Sequence, residues 1–276
     1  MAKRREPLEA VTLEGELVRL EPLSLEHHAA LCEVGLDPEL WRWSSVRVDS
    51  PEAMRAYIED ALEEWREGRA LPFATIARRS GRVVGSTRFG NVELGHGRVE
   101  IGWTWVARAY QRTGINVEAK LLMLRHAFET LGCARVEFKA HALNERSRRA
   151  ILALGAKEEG TLRSHMVVAD GTRRDTVYYS ILDSEWPDVR RHLEARLARC
   201  AGGRGVGDGG NAGGGGVGGG GDAASAGSAQ AACAAVRREF GGGSARSCWP
   251  TGAGLTPVAE SPASPGGAGK GSRCGR

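Results

Sequence analysis

The residues most suited to binding a ligand are Gln111-Arg112-Thr113-Gly114-Ile115-Asn116, which come directly before an apolar helix pattern. A helix N-terminus exposes about four backbone N–H groups and carries about half a positive charge, so it suits a pyrophosphate. Glycine at position 114 lets the backbone approach such a group closely, and Arg112 can add a cationic contact. An ordinary strand-to-helix loop is the other interpretation, and the hexapeptide alone does not separate the two.

The elements on either side of this turn must hold it in place. Residues 98–106 are rich in Val, Ile and Trp, which predicts a β-strand. Residues 117–131 carry apolar side chains at helical spacing and predict an amphipathic helix that ends at Gly132. A strand, a tight turn and a helix in this order give the phosphate interpretation a physical mechanism.

The rest of the folded pattern mixes short strands with helices. Predicted strands cover residues 17–20, 73–77, 82–89, 135–140, 159–168 and 174–182, and predicted helices cover residues 25–34, 51–67, 144–154 and 184–199. Ser50-Pro51 is a helix cap followed by proline at the first helical position, and Asp170-Gly171 suits a hairpin turn. The pattern predicts an α+β fold with a mixed central sheet of about seven strands flanked by helices.

Composition divides the chain near residue 200. Residues 201–276 hold 25 of the 39 glycines and few large apolar side chains, so they cannot bury enough surface to offset the entropy of ordering. We therefore expect a flexible N-terminus over residues 1–12, one folded domain over residues 13–199 and a disordered Gly/Ala/Ser-rich tail over residues 200–276.

The folded part is close to electrically neutral. With the tail's seven basic and four acidic residues set aside, 31 Lys or Arg and 30 Asp or Glu remain. Nucleic-acid-binding domains usually show a basic excess, so no nucleic-acid partner is expected. Cys32 and Cys133 have no metal-ligand or disulfide spacing, and no apolar run is long enough for a membrane span or signal peptide. We expect a cytoplasmic protein with no metal and no membrane partner, either a monomer or a homodimer.

Two further motifs follow the turn in order, Ala142-Leu143-Asn144-Glu145-Arg146-Ser147 and Leu154-Gly155-Ala156-Lys157. Together with residues 110–119 and the opening residues 13–20, they resemble the GNAT superfamily of N-acetyltransferases. The resemblance is greatest to the RimJ/RimL-like branch, which acetylates the N-termini of ribosomal proteins. It covers residues 13–182, and three motifs in the right order and separation make it specific.

The resemblance implies the GNAT fold and acetyl-CoA as co-substrate. The implied cofactor residues are Val106, Gln111, Arg112, Thr113, Gly114, Ile115, Asn116 and Asn144. The turn would cradle the pyrophosphate, and the strand end near Val106 would pair with the pantetheine arm. Asn116 departs from the family pattern, which has Gly or Ala at that position; asparagine tolerates unusual backbone angles and can cap a helix.

Acetylation of an amine requires a neutral acceptor nitrogen, so a base is needed. The resemblance points to Glu100, in the strand over residues 98–106, as that base, often acting through a water. Two other interpretations of Glu100 stay open: a solvated strand carboxylate, or an ion-pair partner of Arg98 or Arg82.

The departing thiolate also benefits from a proton. The resemblance implies Ser147 as the acid, with Tyr110 and Tyr178 as further candidates. The alternative is that Asn144 caps the helix and Ser147 bonds only within its first turn.

The predicted activity is acetyl transfer from acetyl-CoA to a primary amine by direct attack in a ternary complex. The branch favours a protein N-terminal α-amine; a free amino acid, a polyamine or an aminoglycoside would present a similar amine. Residues 41–45 either line the acceptor pocket or pack in the core. The alternative function, motivated by Asn116, is a weakly active or inactive CoA-binding module.

Overall fold

A computed structural model describes residues 7–202 of the 276-residue chain. In that range, β-strands and α-helices are joined by short loops and 3₁₀ turns. The strands are β1 (Leu13–Glu14), β2 (Val18–Pro22), β3 (Leu71–Ala77), β4 (Arg82–Glu93), β5 (Arg98–Val106), β6 (Arg135–His141), β7 (Lys157–Val167) and β8 (Arg173–Leu182). The helices are α1 (His28–Gly35), α2 (Pro51–Arg66), α3 (Ile115–Arg125), α4 (Glu145–Leu152) and α5 (Trp186–Gly202).

All of these strands form one sheet, in the order β1-β2-β3-β4-β5-β6-β8-β7. Neighbouring strands are antiparallel except for β5 and β6, which run parallel. These two strands pair at three positions, from Arg98 opposite Arg135 to Glu100 opposite Glu137. The predicted α+β fold with a mixed sheet is confirmed, and β1 is an additional two-residue strand at the sheet edge.

Helices pack on both faces of the sheet and bury two apolar layers. The layer under α3 and α5 includes Phe73, Phe89 and Phe138 from the strands. The layer under α1 and α2 includes Trp41 and Trp105. Each such side chain contributes about 1.5–3 kcal/mol when it leaves water, so β5 and its neighbours are held firmly from both sides.

Local signals set where several helices begin. The Ser50 hydroxyl accepts a hydrogen bond from the Ala53 amide at 3.1 Å, and Pro51 occupies the first turn of α2, as predicted. The first predicted helix differs, because residues 25–27 form a 3₁₀ turn before α1 begins at His28. The His27 ring contacts both the amide and the hydroxyl of Ser24 at 3.1 Å, which keeps that first turn tight.

The ends of the described region add detail to the predicted boundaries. Leu8 is buried, and its carbonyl accepts a hydrogen bond from Trp65 Nε1 at 2.8 Å. At the other end, α5 continues to Gly202. Residues 1–6 of the predicted flexible N-terminus and the predicted disordered tail beyond residue 202 lie outside the described residues. Across residues 7–202, no helix has the length and apolarity to cross a membrane, and no cluster of three or more His, Cys, Asp or Glu could hold a metal ion.

Candidate active site

Beyond their paired positions β5 and β6 separate, which leaves a crevice between the carboxyl ends of two parallel strands. Open α/β sheets bind ligands at such a place. A cavity of about 590 Å³ lies here, lined by the loops that follow each strand. Its lining includes the predicted cofactor residues Gln111 and Asn144 and the side chains of Arg42, Arg108 and Arg146.

The turn before α3 is tightly wound. Arg112 and Gly114 have positive φ angles of 63° and 94°, and Thr113 Oγ1 donates to the Tyr110 carbonyl at 2.7 Å. Gly114 is the N-cap residue, and no side chain caps the first amides of α3. In contrast, a serine caps α2 and an asparagine caps α4. The first amides of α3 are therefore open to an external anion.

Gln111 braces the two sides of the crevice. Its Nε2 donates to the Val106 carbonyl at 2.8 Å, and its Oε1 accepts from the Arg146 guanidinium at 3.1 Å. One side chain thus joins the end of β5 to the start of α4. The carbonyl of Val106, near which the pantetheine arm was predicted to pair, already has this partner within the protein.

The last two residues of the predicted turn point into the protein. Ile115 is buried in the layer under α3. Asn116 Oδ1 is also buried and has no hydrogen-bond partner within residues 7–202. A buried hydrogen-bond acceptor without a partner lowers the free energy of unfolding by about 1–3 kcal/mol, and such groups are rare in native proteins. The Asn116 side-chain oxygen is therefore turned inward, away from solvent.

Arginines give the cavity a positive lining. The sequence interpretation included Arg42 among the candidate pocket residues 41–45 but gave no role to Arg108 or Arg146. Arg108 Nε lies 2.5 Å from Asp37 Oδ2, and the Arg42 guanidinium lies 5.0 Å from the centre of the Trp43 ring. Arg146 contacts Gln111, as described above. Two glutamates also line the cavity and balance part of this charge. Guanidinium groups around a cavity that Gln111 also lines fit a phosphate-bearing ligand, although the cavity lining does not include residues 112–116 of the predicted turn. Arg108 lies just before the turn motif and Arg146 lies within the motif of residues 142–147, and those positions were the signal that could have found them.

Glu100 is a buried carboxylate, 5% exposed, with two polar partners. Its Oε2 lies 2.7 Å from Lys139 Nζ and 2.5 Å from Asn91 Nδ2. Both other interpretations of this residue are wrong, because it is not solvated and because Arg98 and Arg82 pair with other glutamates. Its second oxygen, Oε1, makes no hydrogen bond within the described part of the chain, so a carboxylate lone pair is available there.

Titratable side chains on β6 and β8 surround this carboxylate. Burial would lower the pKa of Lys139, but the charge and hydrogen bond of Glu100 raise it above its ordinary value. The Lys139 ammonium also lies 4.9 Å from the centre of the Tyr178 ring. Burial lowers the pKa of His141, and the neighbouring Arg174 lowers it further. At β6 and β8, the face of the sheet beside the crevice is therefore polar and charged, whereas side chains on the other face of these strands belong to the apolar layer under α3 and α5.

The candidate acids lie on separate elements. The Ser147 amide donates to Asn144 Oδ1 at 3.1 Å, which is the predicted helix cap. The Ser147 side chain is half-buried, and its hydroxyl makes no hydrogen bond among residues 7–202. Tyr110 packs at the edge of the core, and Tyr178 lies beside Lys139. The cap and a role for the Ser147 hydroxyl are compatible.

The tryptophans of residues 41–45 divide between core and site. Trp41 is 5% exposed, and its Nε1 donates to the Gly35 carbonyl at 2.7 Å. Trp43 lines the cavity, and its ring centre lies 4.8 Å from that of His141. Trp41 therefore belongs to the core, and Trp43 belongs to the site.

Comparison with known proteins agrees with this geometry. The family model described as an acetyltransferase (GNAT) domain matches residues 18–157. YdaF of Bacillus subtilis (strain 168), whose name assigns it provisionally to the ribosomal N-acetyltransferases, is 31% identical over 169 residues. That match covers 60% of this chain and 90% of YdaF.

Solved structures give the same result. A crystal structure of a protein from T. thermophilus, described provisionally as an acetyltransferase, is 41% identical, with a TM-score of 0.64. The match covers 69% of this chain and 98% of that one. RimJ of Mycobacterium smegmatis in complex with CoA-disulfide is 27% identical, with a TM-score of 0.61, over 70% of this chain and 97% of RimJ.

Proposed function

Because this chain belongs to the GNAT family of acetyltransferases, in its RimJ-like branch, we propose that it transfers an acetyl group from acetyl-CoA to a primary amine by direct attack in a ternary complex. One observation carries this proposal. Glu100 stands at the last paired position of β5 and β6, where the crevice opens, and one of its carboxylate oxygens has no hydrogen bond among residues 7–202. A carboxylate in that position can accept a proton from an amine that enters the crevice.

The residues around the cavity fit the phosphate-bearing cofactor. The uncapped amides of α3 and the glycine at position 114 receive the pyrophosphate. Arg108 and Arg146 add positive charge, and the Asn144 side chain, whose oxygen caps α4, still has its amide hydrogens to donate. The edge of β5 beyond Glu100 is not paired with β6, so the pantetheine arm can lie along it, although side chains of the protein already donate to the carbonyls of Gly102, Trp103 and Val106.

The acetyl-CoA thioester supplies the activated acetyl group, and the protein manages the protons. Glu100 takes a proton from the acceptor ammonium, directly or through a water. The neutral nitrogen then forms a bond to the acetyl carbon while the bond from carbon to sulfur breaks, and the nitrogen releases its second proton to water as the amide forms. Ser147 gives its hydroxyl proton to the departing sulfur and regains one from water; Tyr110 and Tyr178 are the alternative donors.

We further propose a protein N-terminal α-amine as the acceptor. The support is the branch: YdaF is named for ribosomal N-acetylation, and RimJ is among the similar solved structures. An open crevice flanked by a polar sheet face also leaves room for an extended peptide. A small-molecule amine is the competing acceptor within the same chemistry.

Acetyl-CoA titration by calorimetry and a thiol-release assay over peptide and small-molecule amines test the proposal. We expect binding, and release that depends on the acceptor. Glu100→Gln should lower turnover at least about 100-fold with acetyl-CoA affinity nearly unchanged. The matched control is Glu194→Gln, because Glu194 lies exposed on α5 and pairs only with arginines among residues 7–202.

Each contrary result has a distinct meaning. Acetyl-CoA binding without turnover of any amine would favour the CoA-binding module instead. An unchanged rate in Glu100→Gln would remove this residue from the role of base and leave the activity intact. Faster turnover of polyamines or aminoglycosides than of peptides would overturn the choice of acceptor.

A further inference from the structure

The most unusual buried group outside the proposed chemistry is the amine of Lys120, on α3. The residue is 5% exposed, and its Nζ lies 2.6 Å from Thr104 Oγ1 and 2.9 Å from Thr87 Oγ1. No carboxylate of residues 7–202 pairs with it. Burial lowers the pKa of Lys120 to about 7. An amine buried without an anion is costly, so its presence calls for an explanation.

Its two partners belong to an irregularity in β5. Ser86 of β4 faces Trp105, and Arg88 faces Gly102, so two residues of β5 oppose one residue of β4. This is a β-bulge, formed by Trp103 and Thr104 opposite Thr87. Bulges occur often beside active sites, where they redirect backbone groups.

The bulge holds a strained backbone. Trp103 has a φ of 48°, which is a real outlier for a bulky residue and costs about 1–3 kcal/mol. Such strain persists only where the surroundings hold it in place. On one face of the sheet, the Tyr57 hydroxyl donates to the Trp103 carbonyl at 3.4 Å, and the Arg88 guanidinium lies 5.0 Å from the centre of the Trp103 ring.

On the other face, Lys120 completes the support. The hydroxyls of Thr87 and Thr104 lie 2.8 Å apart, and the Lys120 amine bonds both. The three side chains form one compact network across the irregular pair. Thr104 is itself exposed, so the network extends from the core to the surface of β5.

We propose that Lys120 is a positioning residue for acetyl transfer: it fixes the bulge of β5 through Thr87 and Thr104, and its ammonium form places a positive charge behind the strand edge that borders the crevice. This inference rests on the proposed function. Attack on a thioester builds negative charge on the carbonyl oxygen, and a fixed positive charge nearby in a dry environment stabilises it.

Other charged groups near Lys120 are already occupied. Glu118, on the same helix, accepts backbone hydrogen bonds from residues 16–18. Arg88 of β4 pairs with Glu64, and Glu100 of β5 pairs with Lys139. His126, in the turn after α3, is partly buried, and that burial lowers its pKa. Lys120 itself is therefore the group whose charge changes near neutral pH in this network.

The test measures kcat and KM for acetyl-CoA from about pH 6 to pH 9 in wild type, Lys120→Met and Thr104→Val. We expect Lys120→Met to lower kcat at least about tenfold while KM changes less than about threefold. The wild-type decline of kcat as Lys120 loses its proton should be absent in Lys120→Met and present in Thr104→Val. Arg125→Met is the matched control, since Arg125 lies on the same helix and pairs with Glu194.

Several outcomes would overturn the inference. One is that Lys120→Met has the kcat and the pH profile of wild type. Another is that kcat and acetyl-CoA affinity fall together in Lys120→Met. If Lys120→Met does not fold, Thr104→Val decides: a kcat equal to that of wild type overturns the inference.

If the wild type binds acetyl-CoA but acetylates no amine, the proposed function fails on its own. Hydrogen exchange then decides the inference about Lys120. Faster exchange of the amides of residues 102–105 in Lys120→Met than in Arg125→Met supports the inference that Lys120 fixes the bulge of β5. Equal exchange rates overturn that inference.

Discussion

Replacing Glu118 by alanine is expected to destabilise the folded domain by about 4 kcal/mol, although the residue lies on a helix and touches no predicted ligand. Its carboxylate accepts three backbone hydrogen bonds, from the amides of Glu16, Leu17 and Val18, at 2.9, 2.7 and 2.8 Å. Glu118 is 7% exposed, so water cannot easily take its place. The side chain ties the start of β2 to α3.

The magnitude follows from the burial of each amide. Val18 is fully buried, so its amide would lose its partner without replacement, at a cost of about 2–3 kcal/mol. Leu17 is half-buried and adds about 1 kcal/mol, whereas Glu16 is exposed and its amide can bond to water. Gly15 packs against the same carboxylate, and the cavity left behind adds to the loss.

Urea unfolding followed by circular dichroism measures this loss. Glu118→Gln should recover only part of it, because the amide nitrogen of glutamine is a donor facing other donors. Glu194→Ala is the control; this exposed helix glutamate pairs only with arginines in the described part of the chain and should contribute less than about 1 kcal/mol. A loss below about 1 kcal/mol in Glu118→Ala, with an unchanged m value, would refute the reasoning.

Three further predictions concern single groups. The pKa of Lys120 is about 7 in the folded protein and 10.5 in the free side chain. The stability of wild type relative to Lys120→Met should therefore rise by up to about 5 kcal/mol as the pH increases from 7 to 10.5, because only the unfolded chain keeps the proton in that range. Parallel stability curves from urea titrations would contradict this. Gly114→Val should weaken acetyl-CoA binding about tenfold or more in calorimetry, because a φ of 94° strains a β-branched residue; unchanged affinity would remove the turn from the site. Burial raises the pKa of the Cys133 thiol to about 11, so mass spectrometry should find it unmodified by thiol reagents at pH 8 until urea unfolds the domain.

Local features of this protein were readable from the sequence because they depend on neighbours along the chain. The Ser50 cap of α2 and the Asn144 cap of α4 were predicted, and both hydrogen bonds are present. The glycine at position 114 was predicted to adopt a turn conformation before a helix, and it has a positive φ. Strand and helix patterns over the domain predicted the mixed sheet for the same reason: side-chain periodicity reflects local backbone geometry.

The partners of the charged residues were not readable in this way. Glu100 was considered as a partner of Arg98 or Arg82, yet it pairs with Lys139, which lies on the neighbouring parallel strand. That pairing depends on the order of strands in the sheet and on their register. A shift of one residue would turn either side chain to the opposite face, so periodicity within one strand cannot determine it.

The sequence by itself determined the family, the order of the elements and the turn before α3, because each of these depends on motifs or periodicity among residues that are close together along the chain. Only the tertiary structure showed that Glu118 holds amides about 100 positions away and that Lys120 is buried behind the β5 bulge. Both residues read as ordinary charged positions on a helix. Their roles arise because packing removes water, so that the few buried polar groups must hydrogen-bond to one another. Which groups become partners depends on their distance in the folded protein and not on their separation along the chain.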